Sequence, residues 1–166
     1  MEITPYIRWM LDRDLPEILA IEFECYDSPW MEEDFIRCLR QRNCIGMVAE
    51  HEDRVVGFMI YELHKHRIDI TNFTVAVACH RCGVGTQMLD KMKAKLSLQR
   101  RSRLSLEVRE SNLPAQLFYR NMGFHAVNVL REFYPDTDED AYVMEFVHPE
   151  AAHAQKIFSR TMEATS

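Results

Sequence analysis

The chain has 166 residues, of which 47% are hydrophobic and 28% are charged, and its formal net charge is −6. This balance is typical of a soluble globular protein of one domain and excludes disordered and fibrous classes. No apolar run is long enough to cross a bilayer, and the first residues, "MEITPYIRWM", lack the basic-then-apolar order of a secretory signal. The negative charge argues against nucleic acid as the main partner, because phosphate binding requires a basic surface. We expect a cytoplasmic protein that binds neither nucleic acid nor membrane.

The first third of the chain predicts a strand followed by two short helices. "YIRWM" (residues 6–10) predicts the strand. The first helix is expected after Asp14 as cap, with Pro16 in its first turn. The second is expected after Ser28 as cap, with Pro29 at its first position and acidic residues in its first turn.

The middle of the chain predicts three strands and a longer helix. Residues 44–65 predict two strands joined by a polar turn around Glu52 and Asp53. Residues 67–77 predict a third strand, because branched and aromatic side chains alternate there. Apolar residues at helical spacing from Val84 predict a helix that ends near "QRRSR" (residues 99–103).

The last part predicts a strand at 103–110, a helix at 112–124 and two strands at 125–134 and 141–147, with an acidic loop between them. Antiparallel hairpins at both ends, with helices between, indicate an α/β domain with a mixed sheet. We expect this domain to comprise residues 1–148. Residues 149–166 form an extension that is expected to be a short helix or a loose tail.

The segment "VACHRCGVG" (residues 77–85) admits two interpretations, a metal site or a phosphate site. Its C-x-x-C pair, Cys79 and Cys82, surrounds His80. A structural zinc site needs four ligands, and the chain has no second pair of this kind, so we expect no metal. With five cysteines and no export signal, reduced thiols are expected instead of disulfides, and a nearby helix start should lower the pKa of this pair.

The phosphate interpretation rests on the position of the segment between a predicted strand and a predicted helix. Backbone N–H groups at a helix start have no partner within the helix and bind anions. Gly83 and Gly85 allow close approach of an anion to the backbone, and Arg81 adds a positive charge. Glycines at such a junction also occur as plain steric punctuation, so the segment alone leaves both possibilities open.

Ordered motifs on both sides of this loop carry a family resemblance. They are N-F-x-V (72–75), the loop itself (81–86), E-V-R-x-S-N (107–112), A-x-x-x-Y-x-x-x-G-F (115–124), "SPW" (28–30) and "REFYPDTDEDAYVM" (131–144). Together they make residues 6–147 resemble the GNAT family of N-acetyltransferases, and within it the RimI type, which acetylates the N-terminal alanine of a ribosomal small-subunit protein. The resemblance implies a mixed, mostly antiparallel sheet with a central splayed pair of parallel strands and helices on both faces.

The resemblance implies acetyl-CoA as co-substrate and no metal. The implied cofactor-binding residues are Phe73, Thr74, Val75, Arg81, Cys82, Gly83, Val84, Gly85, Thr86, Asn112 and Tyr119. A backbone N–H between Phe73 and Val75 is expected to stabilise the oxyanion that develops on the thioester. Two departures from the family pattern are expected to weaken side-chain contacts to the pyrophosphate: His80 replaces a glutamine or arginine, and Ala76 with Val77 replaces an Asp-Pro pair.

The resemblance also implies that Glu107 is the general base and Tyr119 the general acid. A glutamate pKa of about 4.3 is low for this task, so we expect burial or a neighbouring carboxylate to raise it. Without the motif, Glu107 would be a solvated strand residue and Tyr119 a packing residue of an amphipathic helix. Trp30 and Tyr134 are expected to line the acceptor groove. Acids at 136, 138, 139 and 140 either attract a basic acceptor or form an ordinary solvated loop.

Three functions follow as hypotheses. The first is an acetyltransferase whose acceptor is the N-terminus of a ribosomal protein. The second is an acetyltransferase for a small amine, an antibiotic or a lysine side chain, because only the acceptor groove would differ. The third is a CoA-binding module without turnover. The presence of both Glu107 and Tyr119 argues against the third.

Overall fold

The computed structural model describes residues 1–164, which form seven strands and five α-helices. The strands are β1 (Tyr6–Trp9), β2 (Cys44–His51), β3 (Arg54–Leu63), β4 (Arg67–Val75), β5 (Arg103–Arg109), β6 (His125–Tyr134) and β7 (Glu139–Val147). The helices are α1 (Leu15–Cys25), α2 (Glu32–Leu39), α3 (Val84–Lys93), α4 (Leu113–Asn121) and α5 (Pro149–Ala164), with short 3-10 turns at Asp12–Asp14 and Val77–Cys79. Within the described part, no helix combines the length and apolar character that crossing a membrane requires.

The strand order is β1-β2-β3-β4-β5-β7-β6. The pair β4–β5 is parallel, and β1–β2, β2–β3, β5–β7 and β6–β7 are antiparallel. This confirms the predicted mixed, mostly antiparallel sheet with one parallel pair. The chain divides into two compact units. Unit 1 comprises Met1–His64 and Asp69–Lys91, and unit 2 comprises Lys65–Ile68 and the chain from Met92 onward.

Unit 1 is built on the β2–β3 hairpin. Its two-residue turn has Glu52 at φ 49° and Asp53 at φ 59°, the left-handed pair that matches the twist of antiparallel strands. One face of the hairpin packs against α1 and α2 through Ile18, Phe35 and Phe58, which are fully buried. This apolar contact fixes α1 and α2 on the sheet.

The start of α1 differs from its sequence-based interpretation in the role of Asp14. This residue does occupy the N-cap position, but its side chain does not cap the helix. Its carboxylate accepts hydrogen bonds from Arg8 (2.7 and 2.8 Å) and from the Leu11 N–H (2.7 Å). The guanidinium of Arg8 holds the pKa of Asp14 below its usual range, despite burial. The Asp14 carboxylate therefore binds the guanidinium of Arg8 on β1 instead of the N–H groups of α1.

Helix α2 begins at Glu32, later than the predicted start after Ser28. Met31 occupies the N-cap position, and Asp34 accepts a hydrogen bond from its N–H at 2.8 Å. The preceding residues remain in the loop because the Trp30 N–H donates to the carboxylate of Glu22 at 2.9 Å. The predicted start was therefore wrong, since it ignored a contact with α1.

Unit 2 joins β5, β7 and β6 to α4 and α5. Asn112 caps α4 by accepting a hydrogen bond from the Ala115 N–H at 3.2 Å. Gly123 ends the helix at φ 90°, as its position after the apolar pattern predicted. Helix α5 begins at Pro149, next to the predicted domain boundary, which itself stays a prediction. Residues 165–166 of the predicted extension lie outside the described residues.

Helix α3 ends at Lys93, earlier than the predicted end near residues 99–103. The chain tightens there, because Lys95 N–H bonds to the carbonyl of Met92 and Leu96 N–H to that of Lys93. Such i to i−3 bonds close a helix. Leu96, the last apolar residue of the pattern, is buried beyond the helix end. The apolar spacing therefore predicted burial correctly and helix length incorrectly.

Candidate active site

The glycine loop leads directly into the N-terminus of α3. Arg81 and Gly83 both adopt left-handed backbone angles, at φ 60° and φ 82°. The first bond of the helix runs from the Gln87 N–H to the Gly83 carbonyl at 3.1 Å. The amides of residues 84–86 precede this bond and have no carbonyl partner within the helix. Such a group of aligned N–H donors is a site for an anion.

The N-terminal segment braces this loop within unit 1. The Gln87 side-chain amide donates to the carbonyls of Ile3 (2.6 Å) and Gly83 (3.1 Å). The Ile3 N–H in turn donates to the carbonyl of Cys82 at 2.8 Å. Gln87 belongs to none of the sequence motifs. Its only sequence signal was an amide side chain in the first turn of the helix.

The thiol of Cys79, the first residue of the C-x-x-C pair, is shifted away from thiolate formation. Burial, with a smaller contribution from Cys82, raises the pKa of the Cys79 thiol. The expected lowering at a helix start is therefore wrong for Cys79. Among the described residues, the group of three metal-ligating side chains is elsewhere, at Glu62, His64 and Asp69.

Strand β4 directs the backbone of Phe73 and Val75 to the edge opposite β3. The Ala76 N–H bonds to the Val56 carbonyl of β3 at 2.9 Å, and backbone polar groups alternate between edges along a strand. On the opposite edge, the Val75 carbonyl accepts a hydrogen bond from His80 Nε2 at 2.7 Å. His80, a departure from the family pattern, thus contacts the strand before the loop.

The side chain of Thr74 belongs to a hydrogen-bonded network with Asn72 of β4 and Tyr26 at the end of α1. Its hydroxyl lies 3.2 Å from the Asn72 side-chain oxygen and 3.2 Å from the Tyr26 hydroxyl. Tyr26 also donates to the Phe73 carbonyl at 3.4 Å. The Thr74 hydroxyl is therefore hydrogen-bonded within unit 1, and direct contact of Thr74 with a cofactor remains a prediction.

Glu107 and Tyr119 differ sharply in their surroundings in unit 2. Glu107 is exposed on β5, opposite Val143 of β7. Burial, one of the two surroundings expected for this carboxylate, is therefore wrong, and the other, a neighbouring carboxylate, stays a prediction. Tyr119 is 9% exposed, and its ring lies 5.4 Å from that of Phe118 and 5.5 Å from that of Phe124. Packing thus fixes the Tyr119 ring, as its proposed role as a positioned acid requires.

Two aromatic residues predicted for the acceptor groove are each held by specific contacts. Trp30 packs edge-on against Phe35 at 5.2 Å in unit 1. Tyr134 in unit 2 lies under the guanidinium of Arg109, with 3.8 Å between the guanidinium carbon and the ring centre. Arg109 lies within the E-V-R-x-S-N motif, but the motif by itself implies no role for it.

Comparison with known proteins agrees with this arrangement. Residues 13–124 match the model of the acetyltransferase (GNAT) family. This chain belongs to the GNAT family. The [ribosomal protein bS18]-alanine N-acetyltransferase of Escherichia coli K12 is 29% identical over 133 residues, which cover 79% of this chain and 89% of the relative. The N-alpha-acetyltransferase of Sulfurisphaera tokodaii is 32% identical over 144 residues, with 79% and 86% covered.

The structural comparison includes an enzyme of the same kind. The crystal structure of the Escherichia coli ribosomal-protein-S18-alanine N-acetyltransferase superposes with a TM-score of 0.78 at 25% identity, covering 87% of this chain and 94% of that one. The protein is therefore an acetyl-CoA-dependent N-acetyltransferase of the RimI-like kind.

Gly83 has a positive φ, so its substitution tests the predicted role of the glycine loop in cofactor binding. Gly83→Ala is expected to weaken CoA binding about tenfold or more, because a Cβ at this backbone angle costs about 1–2 kcal/mol and the loop would shift to relieve the strain. Isothermal titration with CoA measures this effect. Gly123→Ala is the matched control, since Gly123 has φ 90° and lies outside the loop. Equal loss of CoA affinity in both variants would contradict the loop assignment.

The buried carboxylate of Glu22, on α1, is hydrogen-bonded both to the segment that carries Trp30 and to β4. Glu22 is 2% exposed and accepts hydrogen bonds from the Trp30 N–H (2.9 Å) and the Asn72 side-chain amide (3.2 Å). Burial raises the pKa of Glu22, and the two hydrogen bonds oppose the rise. The sequence signal was an acid adjacent to Ile21 on the apolar face of α1.

This raised pKa predicts a pH-dependent stability. The folded state holds the Glu22 proton more tightly than the unfolded chain does, so the stabilisation is present below the ordinary pKa of about 4.3 and is lost as pH rises through the folded value. Glu22→Gln does not titrate, so its melting temperature should gain relative to wild type between about pH 4 and pH 7. Thermal unfolding at both pH values measures the gain. Glu33→Gln, an exposed site on α2, is the control, and a difference independent of pH would refute the prediction.

Proposed function

We propose that this acetyltransferase acts on a free protein N-terminus and that its acceptor is the N-terminal alanine of a ribosomal small-subunit protein. The observation that carries this proposal is the similarity to the Escherichia coli bS18-alanine acetyltransferase, which extends over 89% of that enzyme. The fixed aromatic residues Trp30 and Tyr134 support it, because a peptide terminus needs rigid walls to orient its first residues. Such an acceptor lies in the cytoplasm, where we propose that the enzyme acts.

Acetyl-CoA supplies the acetyl group as a thioester. We assign the binding of its pyrophosphate to the amides of residues 84–86, with Arg81 as an additional cation, because the helix start presents aligned donors. The other cofactor residues named from the sequence keep their proposed roles. The backbone N–H groups of Phe73 and Val75, on the edge of β4 that faces away from β3, are assigned to donate to the thioester carbonyl as negative charge develops on it.

Proton transfers are assigned to unit 2. The acceptor ammonium must lose a proton before its nitrogen can attack, and we assign this step to Glu107, directly or through a water molecule. The exposure of Glu107 permits such access. Tyr119 then donates a proton to the departing thiolate, whose pKa lies close enough to that of a phenol for efficient transfer. The attacking nitrogen loses its second proton as it becomes an amide, and this proton restores Tyr119, directly or through water. One proton is thus taken by Glu107 and one by the CoA thiolate, and the proposed reaction invokes no metal.

The experiment that tests the acceptor is release of CoA thiol with four acceptors offered in parallel. They are a peptide with a free N-terminal alanine, the same peptide with a free N-terminal glutamate, the same peptide with a blocked terminus and an internal lysine, and a polyamine. Turnover with the free alanine peptide alone is the expected result. Preference for the blocked lysine peptide or the polyamine would replace this proposal with a lysine or small-amine acetyltransferase.

A further inference from the structure

The last residue of β5, Arg109, makes an unusual number of contacts with the β6–β7 loop. Its guanidinium nitrogens lie 3.0–3.1 Å from both carboxylate oxygens of Asp136. One of them also donates to the Thr137 hydroxyl at 3.0 Å and to the Glu139 carboxylate at 3.1 Å. The guanidinium plane covers the Tyr134 ring at 3.8 Å. A single side chain therefore contacts four residues of one loop.

We propose that Arg109 is a positioning residue that fixes the acceptor-binding loop, residues 134–139, to the strand that carries Glu107. The proposal deepens the proposed function and rests on it, because Tyr134 is assigned there to the acceptor groove. Glu107 and Arg109 are two residues apart on β5 and so project from the same face of the strand. By holding Tyr134, Arg109 would fix a residue of the proposed acceptor groove to β5, the strand that carries the proposed general base.

The loop has a conformation that needs such an anchor. Asp138 has φ 56°, a left-handed angle that is strained for a residue with a Cβ. The local backbone bonds are those of Thr137 and Asp138 N–H to the Tyr134 carbonyl, at 3.3 and 2.8 Å. The Thr137 hydroxyl also donates to Glu139 at 2.8 Å. Arg109 contacts the loop from outside this short hydrogen-bonded turn.

Arginine is the side chain that suits all of these contacts at once. Its planar fork binds a carboxylate through two parallel hydrogen bonds and stacks on an aromatic ring, whereas lysine offers one point charge. The Arg109 side chain is 29% exposed, so solvent screens these interactions less than at an open surface. Burial acts to lower the pKa of Arg109, but the hydrogen bonds to Asp136 and Glu139 together outweigh it, so the pKa is raised overall.

The same contacts change the interpretation of the acidic loop. Asp136 and Glu139 are paired with Arg109, and Asp140 is paired with Arg131 at 2.6 Å. Three of the four acids considered as attractors of a basic acceptor are therefore engaged within unit 2. Their charges hold the loop, and Tyr134 is the residue of this loop that we assign to the acceptor.

The test compares Arg109→Gln on β5 with Arg131→Gln on β6, which also removes one positive charge from unit 2 but leaves the Arg109 contact with Tyr134 intact. Hydrogen exchange of wild-type and variant proteins reports loop fixation without any need for turnover. We expect exchange at residues 134–140 to become about tenfold faster or more in Arg109→Gln, and to change less than about twofold in Arg131→Gln. Arg109→Lys should resemble Arg109→Gln more than wild type, because it lacks the fork.

Kinetics then connect loop fixation to the acceptor. In Arg109→Gln, KM for the peptide should rise about tenfold, with KM for acetyl-CoA changed less than about twofold. If Arg109→Gln fails to fold, Asp136→Asn provides the same exchange measurement from the loop side. Unchanged exchange at 134–140 in Arg109→Gln, or equal acceleration in Arg131→Gln, would overturn the proposal. Faster exchange with an unchanged peptide KM would also overturn it, and absence of peptide turnover by the wild type would refute the proposed acceptor alone.

Discussion

Glu107→Gln should lower kcat for acetyl transfer by about 10²- to 10⁴-fold, the usual contribution of a general base. The amide retains the size of the side chain and accepts no proton. Glu107 is exposed on β5, so the substitution leaves the buried face of the strand untouched and should not alter stability appreciably. Glu107 is not among the residues assigned to cofactor binding, so the affinity for CoA should stay within about twofold of wild type.

The matched control for this variant is Glu110→Gln. Glu110 is also exposed, follows β5 directly and accepts a hydrogen bond from the Asp140 N–H, so the same chemical change is made three residues away. Single-turnover rates and CoA titrations on both variants, across a range of pH, separate chemistry from binding. The acidic limb of the rate profile should disappear only in Glu107→Gln. Parallel losses of CoA affinity and transfer rate would show that Glu107 acts in binding or folding instead.

Tyr119→Phe should lower kcat by about 10²-fold or more, because the departing thiolate would lose its proton donor. Phenylalanine fills the same space between Phe118 and Phe124, so the aromatic packing survives. Loss of one buried hydroxyl is expected to change the free energy of unfolding by about 1 kcal/mol. The effect on catalysis should therefore greatly exceed the effect on stability.

A more acidic leaving thiol distinguishes the role of Tyr119 in acid catalysis from a role in packing. A thiolate of low pKa leaves without help, so the penalty of Tyr119→Phe should shrink when an acetyl thioester of a more acidic thiol replaces acetyl-CoA. Tyr142→Phe on β7 controls for removal of a phenol from the same unit. A penalty that is the same for both donors would contradict acid catalysis and leave Tyr119 as a packing residue.

The order and type of most elements followed from local pattern. Period-two alternation in residues 67–75 and helical spacing from Val84 predicted β4 and α3, and Gly123 marked the end of α4. The motif residues of the family are similarly local, since each occupies a fixed spacing within a strand, a loop or a helix. Hydrophobic period and backbone freedom are properties of neighbouring residues, so the sequence expresses them directly.

Other features depended on partners outside the helix or strand concerned. Asp14 was expected to act as a local cap, but Arg8 engages its carboxylate. The start of α2 moved because Glu22 accepts a hydrogen bond from Trp30. Local rules pair such side chains with the nearest backbone N–H groups. Folding brings them close to stronger or more buried partners that the local sequence does not specify.

The sequence by itself determined the family, the order of strands and helices and the candidates for proton transfer. Tertiary structure decided their surroundings: it exposes Glu107, buries Tyr119 and pairs the acids of the β6–β7 loop with Arg109, 27 to 30 residues away in sequence. The physical reason is that burial and ion pairing depend on which strands become neighbours. Strand pairing joins residues that no local spacing rule connects.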